Sequence, residues 1–338
     1  MSKRVGIRDV AVAAGVSMTT VSHALSGGGV LSDKTREHVR LVASELNYAP
    51  NRLASGLRSQ RSQTIGFVSD EISTTPFAGK VVLGAQDGAA ERDLVLMIVN
   101  TNSDEKLEGR EIEALLQRQV DGIIYARMYH QSVEIPSALA GVPLVLLDAE
   151  SDDTTTSSVV PDEFGAAVTA VNHLADAGHR RIGYVANEDD ILASRGRLRG
   201  FRTAMAARGL AVDDSLILTA HPDAQGGRAV ATRILDRPDR PTALFCFNDR
   251  MAMGAYQAAA LLGLSVPSDL SIVGVDNLEI IAAELLPGLT TVALPHYEMG
   301  RWAIDRLHRQ IAGEESGKAV HAQLECPLIE RDSVAPPP

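Results

Sequence analysis

The sequence predicts an α/β protein in which a small head of three helices precedes two lobes, each built on a parallel sheet. Three observations predict it. The first sixty residues carry short apolar stripes at helical spacing, separated by turns that contain Gly. From Thr64 onward, near-continuous apolar runs alternate with helix-length segments, the pattern of parallel strands covered on both faces. The roughly 275 residues that follow are too many for one such sheet, so two similar lobes are expected. With 45% hydrophobic and 22% charged residues in a chain of 338, extensive disorder and collagen-like structure are excluded. No apolar window approaches the ~18 residues of a membrane span, and no apolar stretch follows the charged segment Met1 to Val10 as a secretory signal would require. A cytoplasmic location is therefore expected. Cys246 and Cys326 make neither a disulfide framework nor a metal-ligand spacing, so no metal and no cofactor are expected.

The head is read first. Ile7, Val10, Ala11 and Ala14 fall at i, i+3, i+4 and i+7 of a short amphipathic helix. Gly15-Val16-Ser17 breaks it: Gly15 suits a left-handed helix end and Ser17 a cap for the next helix. A second helix over 18–25 turns Val21 and Leu25 inward and ends at Gly27-Gly28-Gly29. A third begins after Ser32 and buries Val39, Val42, Ala43 and Leu46. Two short helices across a tight turn, closed by a third, make a helix-turn-helix unit. Charge sets this end apart. Residues 1–62 hold nine basic and four acidic groups, net +5, while the other 276 hold 23 basic and 39 acidic, net −16. A basic arm on an acidic body suits a chain with one end on a polyanion.

Ile7-Arg8-Asp9-Val10-Ala11, Ala14-Gly15-Val16-Ser17 and Thr20-Val21-Ser22 resemble the start of the LacI/GalR family of bacterial transcription regulators. Ser32-Asp33-Lys34-Thr35-Arg36 and Glu45-Leu46-Asn47-Tyr48-Ala49-Pro50-Asn51 continue the likeness. The resemblance implies that the second helix enters the DNA major groove, with Met18, Thr19 and His23 as base readers. Met18 offers apolar contact to a thymine methyl and Thr19 a hydroxyl and a methyl. His23 cannot make the bidentate fork to guanine that an Arg there would make. Ser17, Thr20, Ser22, Asn47, Tyr48 and Asn51 are read as phosphate contacts that set register. Gly6 stands at a helix start where the family often has Thr, and caps less well. Residues 50–58 are too short for a stable isolated helix. The resemblance implies a hinge there that folds on the operator against its copy in a homodimer, with Ala54 and Leu57 as the minor-groove wedge.

In the body, strands are expected over 64–69, 94–100, 122–125, 144–148, 181–186, 243–247 and 271–275, with helices such as 104–118, 164–177 and 195–208. Ile65-Gly66, Val120-Asp121-Gly122-Ile123-Ile124, Gly178-His179-Arg180-Arg181-Ile182-Gly183, Phe247-Asn248-Asp249, Val273-Gly274-Val275-Asp276-Asn277 and Leu289-Thr290-Thr291-Val292 are similar to the family's effector domain. The resemblance implies two Rossmann-like lobes of the periplasmic-binding-protein type. The implied division is a DNA-binding domain at 1–49, hinge helix and linker at 50–63, and an effector domain at 64–330. Within the effector domain, lobe one holds 64–160 and 291–325 and lobe two 161–290. The Pro-rich tail at 331–338 is expected to be disordered.

Ligands of α/β lobes bind at the carboxyl ends of strands. Asp148, Asn248 and Asp276 stand at such ends, and Arg197 opens a helix; the resemblance makes all four effector contacts. Two carboxylates, an amide and a guanidinium suit vicinal hydroxyls, so a carbohydrate effector is expected, with Phe77 offering an apolar face to a sugar ring. Asn248 and Asp249 also read as helix caps, and Arg197, flanked by Arg195 and Arg199, reads equally as a surface residue. Residues 221–224, His221-Pro222-Asp223-Ala224, lack the stacking aromatic that other members carry there, which keeps a purine-like or phosphorylated corepressor open. An enzyme needs a constellation, and none is legible: no Gly-x-Gly-x-x-Gly follows a strand, and Walker A, nucleophile-elbow and zinc spacings are missing. A soluble sugar-binding protein or enzyme on the same fold would leave the basic head unexplained. The sequence is therefore read as a homodimeric repressor of a double-stranded operator, controlled by a small molecule, with no catalytic residue.

Overall fold

The apolar stripe of the first helix forms α1 (Ile7–Ala14), in a computed structural model that describes residues 5–26, 28–48, 61–314 and 318–338. Gly15 ends α1 at φ 65°, a left-handed conformation that lets the Val16 amide bond back to the Ala11 carbonyl at 3.0 Å. Gly6 has no side chain to cap α1, but Asp9 supplies the other half of a capping box by accepting from the Gly6 amide at 2.8 Å. Helix α2 (Met18–Ser26) is capped by Ser17, whose Oγ accepts from the Thr20 amide at 3.0 Å. Helix α3 (Asp33–Glu45) is capped in the same way by Ser32. Val10, Val21, Ala24 and Val39 are fully buried between them. These helices belong to the first of two units, Met1–Ser62 and Gln63–Pro338.

The second unit contains two six-stranded sheets. The first joins β1 (Thr64–Ser69), β2 (Val95–Asn100), β3 (Gly122–Ser132), β4 (Leu144–Glu150), β5 (Ser157–Pro161) and β11 (His321–Leu324) in the order β11-β5-β4-β3-β1-β2, every pairing parallel. The second joins β6 (Ile182–Asn187), β7 (Ile217–Ala220), β8 (Ala243–Cys246), β9 (Ser271–Asp276), β10 (Thr290–Ala293) and β12 (Leu328–Ile329) in the order β12-β10-β9-β8-β6-β7, parallel except for β12. On lobe one, α4 (Ala78–Ala90) and α11 (His296–Ala312) cover one face and α5 (Glu105–Gln117) the other. Lobe two is covered by α6 (Glu163–Asp176), α7 (Leu192–Ala207), α8 (Ala224–Leu235) and α9 (Asp249–Leu261), with the short α10 (Glu279–Ala282) after β9.

Two expectations are corrected. Residues 291–293 do not return to lobe one: β10 pairs with β9, Thr290 opposite Val273, so the crossover falls after Ala293. β12 likewise returns to lobe two after β11. The tail at 331–338 is not disordered. Ser333 is fully buried, its Oγ accepting from the Thr290 amide and donating to the Ile272 carbonyl. The Ala335 amide donates to Ser271 Oγ at 3.0 Å, and His179 Nε2 lies 2.9 Å from the Ala335 carbonyl. The prolines lack amides, but their neighbours supply the bonds. β3 also runs seven residues beyond its expected end, with a register break against β4 between Ala126 and Gln131.

Candidate functional site

In the head, Met18, Thr19 and His23 are exposed on the face of α2 opposite the buried Val21 and Ala24, as a groove-reading surface needs. Ser17 is exposed, but its hydroxyl is engaged as the α2 cap and also meets Thr20 Oγ1 at 2.9 Å. Thr20 and Ser22 are half-buried at the edge of that face. Asn47 is exposed in a left-handed turn after α3, and the half-buried Tyr48 packs on the head core. Asn51, Ala54 and Leu57 lie outside the described residues.

In the second unit, Phe77, Asp148, Arg197, Asn248 and Asp276 all line one small, nearly closed cavity between the lobes. β3, β4, α4 and α11 bring one wall; α6, α7, β8 and β9 bring the other. Asp148 and Asp276 both have left-handed backbones, φ 54° and 113°, and the Asn277 that follows has φ 50°. Such strain at strand ends marks positions that the surrounding structure holds in place. For Asp276 the hold is visible. Asp249 is fully buried, accepting from the Leu278 amide at 2.7 Å and from Thr291 Oγ1 at 2.6 Å, and Arg331 donates to Asn277 Oδ1 at 2.8 Å.

Arg197 does not open its helix; α7 starts at Leu192 and Arg197 lies in its second turn. It is buried and bonds within the protein through two of its nitrogens. Nε bonds Glu163 Oε2 at 2.6 Å, Nη1 donates to the Phe247 carbonyl, and the guanidinium carbon lies 4.3 Å over the Phe247 ring. Close approach of α6 and α7 makes this pair: a methyl group at Gly200 would stand 2.4 Å from the Phe164 carbonyl oxygen, and one at Gly196 would stand 2.9 Å from Glu163 Cβ. Asn248 caps α9, its Oδ1 accepting from the Met251 amide at 2.8 Å and its Nδ2 donating to the Pro222 carbonyl at 3.1 Å. It caps and lines the cavity at once.

Burial pushes Asp148 well above the ordinary carboxyl range, with Glu163 adding to the rise and Arg197 opposing it. Asp276 is raised likewise by burial against the pull of Arg197. Burial also works against the charge of Arg197, but Glu163 and Asp276 more than offset it and its pKa is raised. Burial lowers His130, whose Nε2 is 3.5 Å from Glu150 Oε1. His296 is pushed down to about 3 by burial, then by Lys80 and Arg197.

Sequence reasoning missed Glu163, Tyr129, His130 and His296, which line the same cavity. A signal existed for two of them. Glu163 precedes Ala166, Ala167, Ala170 and Val171 on the buried stripe of α6, and His296 precedes Met299, Gly300, Ala303 and Ile304 on that of α11. A polar residue in the apolar phase of a first turn is a buried polar residue. Among the described residues no group of three or more His, Cys, Asp or Glu is arranged to hold a metal ion, and no helix is long and apolar enough to cross a membrane.

Residues 6–51 match the model for bacterial regulatory proteins of the lacI family, and residues 171–334 that for a periplasmic binding protein-like domain. The HTH-type transcriptional regulator DegA of Bacillus subtilis is 36% identical over 337 residues, 98% of each chain. The chain belongs to the lacI family. The ribose operon repressor of Escherichia coli K12 is 35% identical over 329 residues, 97% of this chain and 99% of that one. Among solved structures, a lac repressor dimer bound to operator and the anti-inducer ONPF matches with a TM-score of 0.81 at 28% identity, over 98% of this chain and all of that one. A complex of the regulator CelR with cellobiose matches with a TM-score of 0.72 at 31% identity over the same shares. This lacI-family protein is thus a transcriptional repressor with a helix-turn-helix DNA-binding head and a small-molecule effector domain, the cavity lying between the lobes of the latter.

Proposed function

We propose that the protein represses transcription by binding a palindromic operator as a homodimer, and that a small uncharged polyhydroxy compound, a sugar, controls it by closing the two lobes. The convergence of five sequence-expected residues from both lobes on one cavity carries this reading. A ligand held by both walls binds more tightly to one lobe arrangement, and differential affinity is what shifts a conformational equilibrium. In the operator-bound state Met18, Thr19 and His23 read bases, Ser17, Thr20, Ser22, Asn47, Tyr48 and Asn51 fix register on phosphates, and Leu57 with Ala54 wedges the minor groove. Lobe closure alters the spacing of the paired hinges, so operator and effector change each other's affinity by one factor. The names of the ribose operon repressor and of the cellobiose complex support the carbohydrate class. A purine-like effector is the second reading, favoured by the ring pair Phe77 and His296, stacked at 4.5 Å and 6°.

Thermal unfolding with sugars, sugar phosphates and purines tests it. A ligand at ~100 times its Kd adds about 2.7 kcal/mol. A stabilising neutral sugar that also alters operator affinity supports the reading, and a response to purines alone replaces the carbohydrate with a purine.

A further inference from the structure

The two walls of the effector cavity differ in how their polar atoms are employed. On the lobe-two wall, Arg197 and Asn248 bond within the protein, to Glu163, the Phe247 carbonyl, the Met251 amide and the Pro222 carbonyl. On the lobe-one wall, Asp148 Oδ1 and both ring nitrogens of His296 are buried with no hydrogen-bond partner. His296 is 2% exposed, and its ring is fixed parallel to Phe77 at 4.5 Å. A buried donor or acceptor left unpaired is a net cost to a fold, and a phenyl ring would fill this stack without that cost. Burial keeps the imidazole neutral at physiological pH, so it carries one N–H donor and one lone pair. A hydroxyl, donor and acceptor at once, matches both.

The charge around the cavity narrows the ligand further. Asp148, Glu163 and Asp276 face a single guanidinium, and Glu163 already pairs with it. A phosphate or carboxylate group would find the one guanidinium of the cavity lining already paired with Glu163.

We propose that His296 is a specificity-determining residue of the effector site, its ring nitrogens holding hydroxyls of an uncharged ligand that Asp148 also binds, and that this wall refuses phosphorylated ligands. The proposal rests on the polyol reading of the cavity. Its test is His296→Phe in the full-length protein, which keeps the stack on Phe77 and removes both unpaired nitrogens. Without added ligand, the Tm of the effector domain should stay or rise, because the substitution relieves an unpaired buried group. A fall of several degrees would show the nitrogens bonded within the fold and overturn the assignment. In calorimetric titrations, D-ribose should bind the wild type and bind the variant at least about tenfold more weakly, the loss of one good hydrogen-bonding group. D-ribose 5-phosphate should bind neither, and its binding to the wild type would remove the exclusion. Equal ribose affinity in both proteins refutes the role of His296. Ribose binding to neither, with purines binding both, refutes instead the polyol reading on which the proposal stands.

Discussion

Arg197 and Glu163 form an ion pair whose partners are both at least 95% buried, at 2.6 Å, so removing either partner strands a charge. Arg197→Met leaves the Glu163 carboxylate unpaired and also removes the bond to the Phe247 carbonyl and the contact over its ring. Breaking a buried pair from one side costs about 3–5 kcal/mol. At roughly 2–4 °C per kcal/mol for a domain of this size, the effector-domain transition should fall by roughly 6–20 °C. Glu163→Leu alone should cost a similar amount, because it strands the guanidinium. The double variant should recover most of the loss, since apolar residues of similar volume often replace a buried pair at little cost. Calorimetric unfolding of all four proteins closes a double-mutant cycle, with an expected coupling of ~2 kcal/mol or more. Single losses under ~1 kcal/mol that simply add would refute the reasoning. The result also decides how a loss of ligand response in Arg197 variants is read. Only the double variant, folded and lacking the guanidinium, separates a missing ligand contact from a weakened domain.

Asp148 and Asp276 are raised by burial, and Asp249 is pushed up to about 7 by the same cause. A carboxyl raised in the fold holds its proton where the unfolded chain has lost it. Its contribution is therefore fully present below the unfolded value of about 4 and lost as pH rises through the folded value. The effector-domain Tm should decline from about pH 5 to pH 8, and less steeply in Asp148→Asn; an unchanged slope would show Asp148 ionised throughout. Truncation after Glu330 removes the bonds of Arg331, Ser333 and Ala335 and should destabilise the domain by about 3 kcal/mol or more, at about 1 kcal/mol per bonded group, which an unaltered thermal midpoint would contradict. Leu57→Ala should weaken operator binding more than binding to non-specific DNA in titrations at fixed salt, and equal losses on both would remove the wedge.

What was legible followed from topology. In a parallel sheet flanked by helices, the carboxyl ends of the strands open on a crevice, so apolar runs put Asp148, Asn248 and Asp276 at strand ends, and the resemblance brought them to one site. Arg197 was legible by resemblance, but its buried pairing was not, because its partner Glu163 sits 34 residues earlier in the sequence, on the neighbouring helix α6. The crossovers hid more. Residues 290–293 read as a strand in either lobe, and only the pairing of Thr290 with Val273 decides. The tail read as disordered from its prolines because composition does not show that Ser333 and Ala335 find partners on β9 and β10. Glu163 and His296 share a position that generalises: each opens the helix that follows a crossover, on the phase that turns inward. At that place the inward phase meets the space between the lobes rather than a hydrophobic core. A charged or imidazole side chain there violates the helix's own apolar pattern, and violations of that kind collect where a protein binds something. Read this way, the amphipathic pattern of α6 and α11 marks the cavity as clearly as the strand ends do, and it does so from residues whose chemistry the strand-end argument never reaches.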